Sequence, residues 1–323
     1  MLHRFAKFVA GCTVLLVLAG SLVTSTDSGL SVPDWPTTYG WNMFTFPPSK
    51  WVGGILYEHG HRLIASSVGF LTIVLAVWLW MSEPRRWMRW LGVGALGAVI
   101  AQGVLGGLTV MFFLPAPIST AHAGLAEIFF CMTVAIALFT SHGWLDAGPG
   151  HIVNDSSLRR LATTTTILIY CQILVGATMR HTGAGLAIPD FPLMFGHLWP
   201  THWDAKIAVH FAHRAGALLA AIAVCTTAVA VFRRTTLDEL RRPAALLVAL
   251  VCVQITLGAF TVLSRRDVWI NSVHVVCGAL VLTTSLVLTL RTWRGKFATG
   301  VPRVRVQADP VRLTDTTYGK ASA

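Results

Sequence analysis

Eight apolar runs, each close to the ~20 residues that a helix needs to cross a bilayer, constrain this chain more than any other feature. They fall at 8–24, 60–81, 91–113, 119–140, 161–179, 208–232, 244–263 and 271–290 of the 323 residues. A backbone in lipid has no water to bond, so such runs are read as helices. Only 12% of the residues are charged, about half the roughly 25% usual in soluble domains. The sequence therefore predicts an all-α polytopic membrane protein with eight transmembrane helices.

The formal net charge of +11 would suit a nucleic-acid partner, but the basic residues sort by loop. Arg4, Lys7, Arg85, Arg86, Arg89, Arg159, Arg160, Arg233, Arg234, Arg241, Arg242 and the tail from Arg291 to Lys320 hold 18 of the 25 Lys and Arg. The other face has Lys50, Arg62, Arg180, Lys206, Arg214, Arg265 and Arg266. The positive-inside rule then places both termini in the cytoplasm, in a multi-pass protein of the cell membrane. The charge sets topology and calls for no nucleic acid; membrane lipid is the expected surrounding. Arg4 and Lys7 ahead of the first run imitate a signal peptide, and Val9-Ala10-Gly11-Cys12 imitates a lipoprotein cleavage site. Both readings are rejected because the internal repeat counts this segment as a helix. All six cysteines fall within or at the ends of the runs, which predicts buried structural thiols. No CxxCH is present, which excludes covalent c-type haem.

The repeat is read from two loops and the helices after them. Ser28-Gly29-Leu30-Ser31-Val32-Pro33-Asp34-Trp35-Pro36, ending at Gly40, matches Ala184-Gly185-Leu186-Ala187-Ile188-Pro189-Asp190-Phe191-Pro192, ending at Gly196, at an offset of 156. Gly, Pro and Asp at fixed places define a rigid turn. Trp35 and Phe191 suit the membrane interface. Further on the offset is 152, pairing His61 with His213, Arg62 with Arg214, Gln102 with Gln254 and His122 with His274. The intervals His61 to His122 and His213 to His274 are both 61 residues. A duplicated unit with an even number of spans gives parallel repeats. The expected architecture is two tandem four-helix bundles related by a pseudo-twofold axis along the membrane normal. Residues 1–145 form the first bundle, 146–160 a cytoplasmic linker, 161–293 the second bundle and 294–323 a disordered cytoplasmic tail.

Glu58, His61 and Arg62 are spaced i, i+3 and i+4, so a helix presents all three on one face, while His59 and Gly60 point elsewhere. Glu58 either balances Arg62 or does chemistry. Four histidines at register-matched places near one membrane face point to function, because ionisable groups in spans are costly. Two imidazoles facing across a four-helix bundle, with a glycine wall at Gly103, Gly106 and Gly107, suit bis-histidine ligation of haem iron. Zinc would want further close ligands, from Glu58 or His210. Arg62 and Arg214 are positioned to pair with haem propionates, or else with loop carbonyls or lipid phosphates. The halves differ at Glu58, aligned with His210, and at Glu127, aligned with Ala279. Acids in one copy only place chemistry in the first half and structure or electron transfer in the second.

The E-x-x-H-R pattern at Glu58 to Arg62, the loop Gly29-Leu30-Ser31-Val32-Pro33-Asp34-Trp35-Pro36, the four histidines and the duplicated unit resemble the haem A synthase family of cytochrome oxidase assembly. The resemblance covers roughly residues 8 to 292. It implies a membrane oxidoreductase that converts the C8 methyl group of haem O to the formyl group of haem A. It implies substrate haem flanked by His61 and His122, haem b ligated by His213 and His274, and Glu58 as the catalytic carboxylate. Haem O synthase and oxidase assembly proteins are the implied partners, beside an unidentified electron donor or acceptor. One departure is visible: many bacterial members carry a cysteine pair in the first outer loop, whereas residues 24 to 56 hold none. A dihaem b-type cytochrome serving a quinol, or a haem transporter, would share the histidines or the repeat. Glu58 in one half argues against the former, and unbroken midplane helices against the latter.

Overall fold

The computed structural model describes residues 1–146 and 148–297. Eight helices are long and apolar enough to cross a membrane: α1 (Leu2–Ser25), α2 (Gly54–Ser82), α3 (Arg86–Met111), α4 (Ala116–Phe139), α5 (Ser156–His181), α6 (Ala205–Arg234), α7 (Asp238–Leu263) and α8 (Val268–Thr292). No β-strand occurs among the described residues. Each of the eight helices begins before its apolar run, and polar residues cap three of these starts. Asp155, Asp204 and Asp267 accept the first free backbone N–H groups of α5, α6 and α8. As a result Glu58 lies inside α2, in its second turn, rather than ahead of it.

Two hydrophobic cores form, one from α1–α4 around Val9, Leu75, Leu79, Phe129 and Ile136, the other from α5–α8 around Leu158, Val224, Leu247 and Leu282. Within the first set α1 packs on α2 and α4, and α3 on α2 and α4; α5–α8 repeat the same pairings. The sets meet where α1 and α4 pack against α8, and α4 against α5. Small polar side chains tie this seam. Ser25 bonds Asn271 and Ser272 between α1 and α8, and within the second set Thr166 bonds Ser285 and Thr289 between α5 and α8. Such groups stay satisfied in lipid only by bonding each other across helices.

The Ser25–Asn271 contact sets the end of α1 beside the start of α8, so the two run antiparallel and the start of α1 and the end of α8 lie at one end of the bundle. There the structure moves one expected boundary. Residues Arg294–Phe297, taken from sequence as the start of a disordered tail, form a helical turn. Phe297 packs on Trp87, Phe139 and Trp144, while Arg294 is buried over Trp144 and donates to its carbonyl. Aromatic packing, invisible to a polarity count, holds it. The rest of the tail lies outside the described residues. The cysteine reading is also corrected, since Cys171, Cys225 and Cys252 are exposed and only Cys277 is buried. A thiol facing lipid is already in apolar surroundings and needs no burial within the protein.

Candidate functional site

His61, His122, His213 and His274 all lie within the first three turns of α2, α4, α6 and α8, at the end of the bundle opposite the termini. Each ring rests on a glycine of a neighbouring helix. A Cβ built on Gly20, Gly106, Gly176 or Gly258 would meet Cε1 of His61, His122, His213 or His274 at 3.0, 3.2, 2.8 or 3.1 Å. Odd helices thus supply a gap and even helices an imidazole, four times over. The sequence reading of a glycine wall was correct only at Gly106: Gly103 faces nothing within 4 Å, and Gly107 receives the ring of Trp35. Gly106 and Gly107 are successive residues, turned ~100° apart about the helix axis, so they meet different rings.

Nδ1 of His61, His122 and His274 is buried without a hydrogen-bond partner. Buried polar atoms left this way ordinarily await a group that completes the site. No three His, Cys, Asp or Glu side chains gather to hold a bare metal ion among the described residues. Two imidazoles per half and no third ligand fit an iron whose equatorial positions a porphyrin already fills, and they do not fit tetrahedral zinc.

The arginines beside the histidines are clamps on the repeated loops. Arg62 donates from Nη1 to the carbonyls of Asp34 and Thr37 at 2.7 and 3.0 Å, and from Nη2 to that of Val32 at 2.9 Å. Arg214 repeats the set with Asp190, Leu193 and Ile188 at 2.7, 3.0 and 3.1 Å. Arg62 and Arg214 are thus held by loop carbonyls, one of the partners the sequence left open, and each keeps its Nε–H beyond these contacts. The loops themselves share one backbone, with Gly40 and Gly196 at φ +76 and +77. Asp34 accepts from the N–H groups of Tyr39 and Gly40, and Asp190 from those of Phe195 and Gly196. Burial pushes the Asp34 carboxyl up, but the Gly40 N–H, the Thr37 hydroxyl and the Tyr39 N–H together hold it below its ordinary range.

Glu58 does balance Arg62, and it also holds the loop. Its Oε1 accepts from Arg62 Nη2 at 2.7 Å, and its Oε2 from the Val32 N–H at 2.8 Å. In the other half His210 takes the same place, with Nδ1 3.3 Å from the Ile188 N–H. The second oxygen lone pairs of Glu58 stay available for chemistry.

Residues 3–286 match the COX15-CtaA family, described as cytochrome oxidase assembly protein. The chain belongs to this family. A protein of Symbiobacterium thermophilum named "Heme A synthase" is 30% identical over 267 residues, covering 81% of this chain and 85% of that protein. Its namesake in Halalkalibacterium halodurans is 27% identical over 304 residues, 91% and 99% of the two chains. The one in Geobacillus kaustophilus is 26% identical over 334 residues, 99% and 98%.

In this COX15-CtaA member the structure adds residues that the sequence did not single out. Gln172 on α5 lies 3.0 Å from His213 Nδ1 and donates to the His213 carbonyl at 2.7 Å. Its repeat position is Leu16, so His61 has no such neighbour and makes no hydrogen bond among the described residues. Gln102 donates to the His122 carbonyl at 2.9 Å, and Gln254 approaches His274 Nε2 at 3.4 Å. His59 is buried between Phe46 and Trp51, with Nδ1 3.2 Å from Thr38 Oγ1, where the other half packs Phe211 edge-on against Trp199 and Trp203. Glu127 is buried with Oε2 unpartnered.

Proposed function

We propose that this protein is a haem A synthase, a membrane oxidoreductase that converts the C8 methyl group of haem O to a formyl group for cytochrome oxidase. Family membership and relatives bearing that name over nearly the whole chain support the reaction. Substrate haem O is held by His61 and His122, and a resident haem b by His213 and His274. Both termini face the cytoplasm and the histidine end faces outward.

The observation that carries this division of labour is the asymmetry of a repeated frame. The second half has Gln172 and His210 where the first has Leu16 and Glu58. Gln172 donates from Nε2 to the His213 carbonyl and to Nδ1, which holds this ring in one orientation and favours a retained ligand over an exchanging one. An untethered imidazole at His61 suits a haem that must enter and leave. When bound, haem b supplies one-electron redox chemistry inside the membrane. Glu58, one helical turn from His61 and held by Arg62 and the Val32 N–H, is the base positioned to accept a proton from the methyl group. The clamped loop fixes the direction of that carboxylate.

Haem extracted from the detergent-purified protein and separated by reversed-phase chromatography, beside a pyridine haemochrome spectrum, tests the reading. Haem b is expected together with haem O or haem A, and His213→Ala or His274→Ala should remove the b-type spectrum. Haem b alone in both halves would make the protein a dihaem cytochrome instead.

A further inference from the structure

Arg180 is a charge that neither the repeat nor the loop clamps account for. It is the penultimate residue of α5, at the histidine end, and its repeat position is Thr24, so it does not belong to the duplicated frame. Its Nη2 reaches across the seam to the carbonyl of Ser21 at 2.8 Å and to Ser25 Oγ at 2.9 Å on α1. Nε is buried with no partner. No carboxylate pairs with it among the described residues. The acid within its electrostatic reach, Asp27, is 84% exposed and lies 3.6 Å from Arg266 instead. Two guanidinium groups therefore face one solvated carboxylate. Uncompensated charge at membrane depth is costly and marks a site whose counter-ion arrives with a ligand.

The position of Arg180 indicates which ligand. Ser21 follows Gly20, the glycine under His61, while Asn271 and Ser272, bonded to the same Ser25, precede His274 on α8. Arg180 lies within electrostatic reach of His274 and of His181, which in turn is within reach of His122. The cation thus stands where the two histidine pairs meet. Nη2 of Arg180 is taken by α1, while Nε and Nη1 carry no hydrogen bond among the described residues and can hold an oxyanion.

We propose that Arg180 anchors a propionate carboxylate of the haem held between His213 and His274, with Arg266 nearer the surface. This rests on the haem reading above. A structural tie between α1 and α5 needs only Nη2; the buried Nε and the missing acid are explained by a carboxylate ligand. Guanidinium groups bind carboxylates through two parallel N–H donors, which a single tie to serine does not exhaust.

The test uses the full chain expressed under haem limitation, purified in detergent and titrated with iron protoporphyrin IX or with its dimethyl ester, following the Soret band. Arg180→Gln should weaken binding of the free acid at least ~10-fold, the scale of one charge-assisted hydrogen bond. It should leave the dimethyl ester unchanged and lower the midpoint potential of the bound haem. Arg180→Lys should keep most of the potential. Equal weakening of acid and ester would reduce Arg180 to a helix tie and overturn the proposal. So would competition by phosphatidylglycerol that Arg180→Gln abolishes, which would assign the site to a lipid phosphate. A wild-type protein that takes up neither porphyrin defeats the haem reading itself, a result separable from loss of the acid–ester difference.

Discussion

Glu58 and His210 hold one position of the repeated frame and make one shared contact, each accepting the backbone N–H of the clamped loop. That equivalence separates structure from chemistry. Glu58→His copies the second half, so the loop contact should survive, while the carboxylate is gone. Haem A is expected to fall at least ~10²-fold, the lower range for losing a general base, with haem O accumulating. The haems would be extracted from cells lacking their own enzyme, and wild-type haem A in them would leave Glu58 a latch only. Gln172 is tested the same way, by Gln172→Leu, which installs the residue found at Leu16. Haem b retained per protein after purification should drop ~10-fold or more; an unchanged ratio removes the tether. Sequence picked out Glu58 and Arg62 by their spacing, but not the carbonyls that Arg62 binds, since a backbone acceptor has no residue signature. Gln172 escaped because a search for matched positions discards a residue whose copy is leucine.

Between helices, the recurring device is a glycine on an odd helix under an imidazole on an even one. Gly176→Ala would put a Cβ 2.8 Å from His213 Cε1, and overpacking of this kind typically costs ~1–3 kcal/mol. The expected result is loss of most b-type Soret absorbance per protein, because the ring must shift. Gly103→Ala, with nothing within 4 Å, gains up to ~1 kcal/mol of helix propensity and should keep its spectrum. Equal behaviour of the two variants would show that close approach is not what positions the histidine. Trp35 and Gly107 make a second such pair, and the repeat offsets put Phe191 and Ala259 in their places. A smaller ring goes with a larger wall. None of this was legible as contact, because which glycine faces which ring depends on the rotation of two helices about their axes.

Across the described residues, eight membrane-length helices and the antiparallel pairing of α1 with α8 put the start of α1 and the end of α8 on one side. The division of Lys and Arg, 18 against 7, predicts that this side is cytoplasmic. Reporter fusions after Ala323 and near Lys50 should give opposite signals, and matching signals would move the histidines to the wrong face. The sequence alone determined the helix count, the duplication, the four histidines and their common depth, because hydrophobic length and residue interval survive in one dimension. Tertiary structure alone decided that Arg62 and Arg214 grip loops, that α4 and α8 lie at the seam, that Arg294 and Phe297 remain packed, and that Arg180 stands unpaired between the histidine pairs. Each of these depends on which face of a helix meets which neighbour. Lipid is as apolar as a leucine side chain, so hydrophobicity places a helix in the membrane without saying which way it turns.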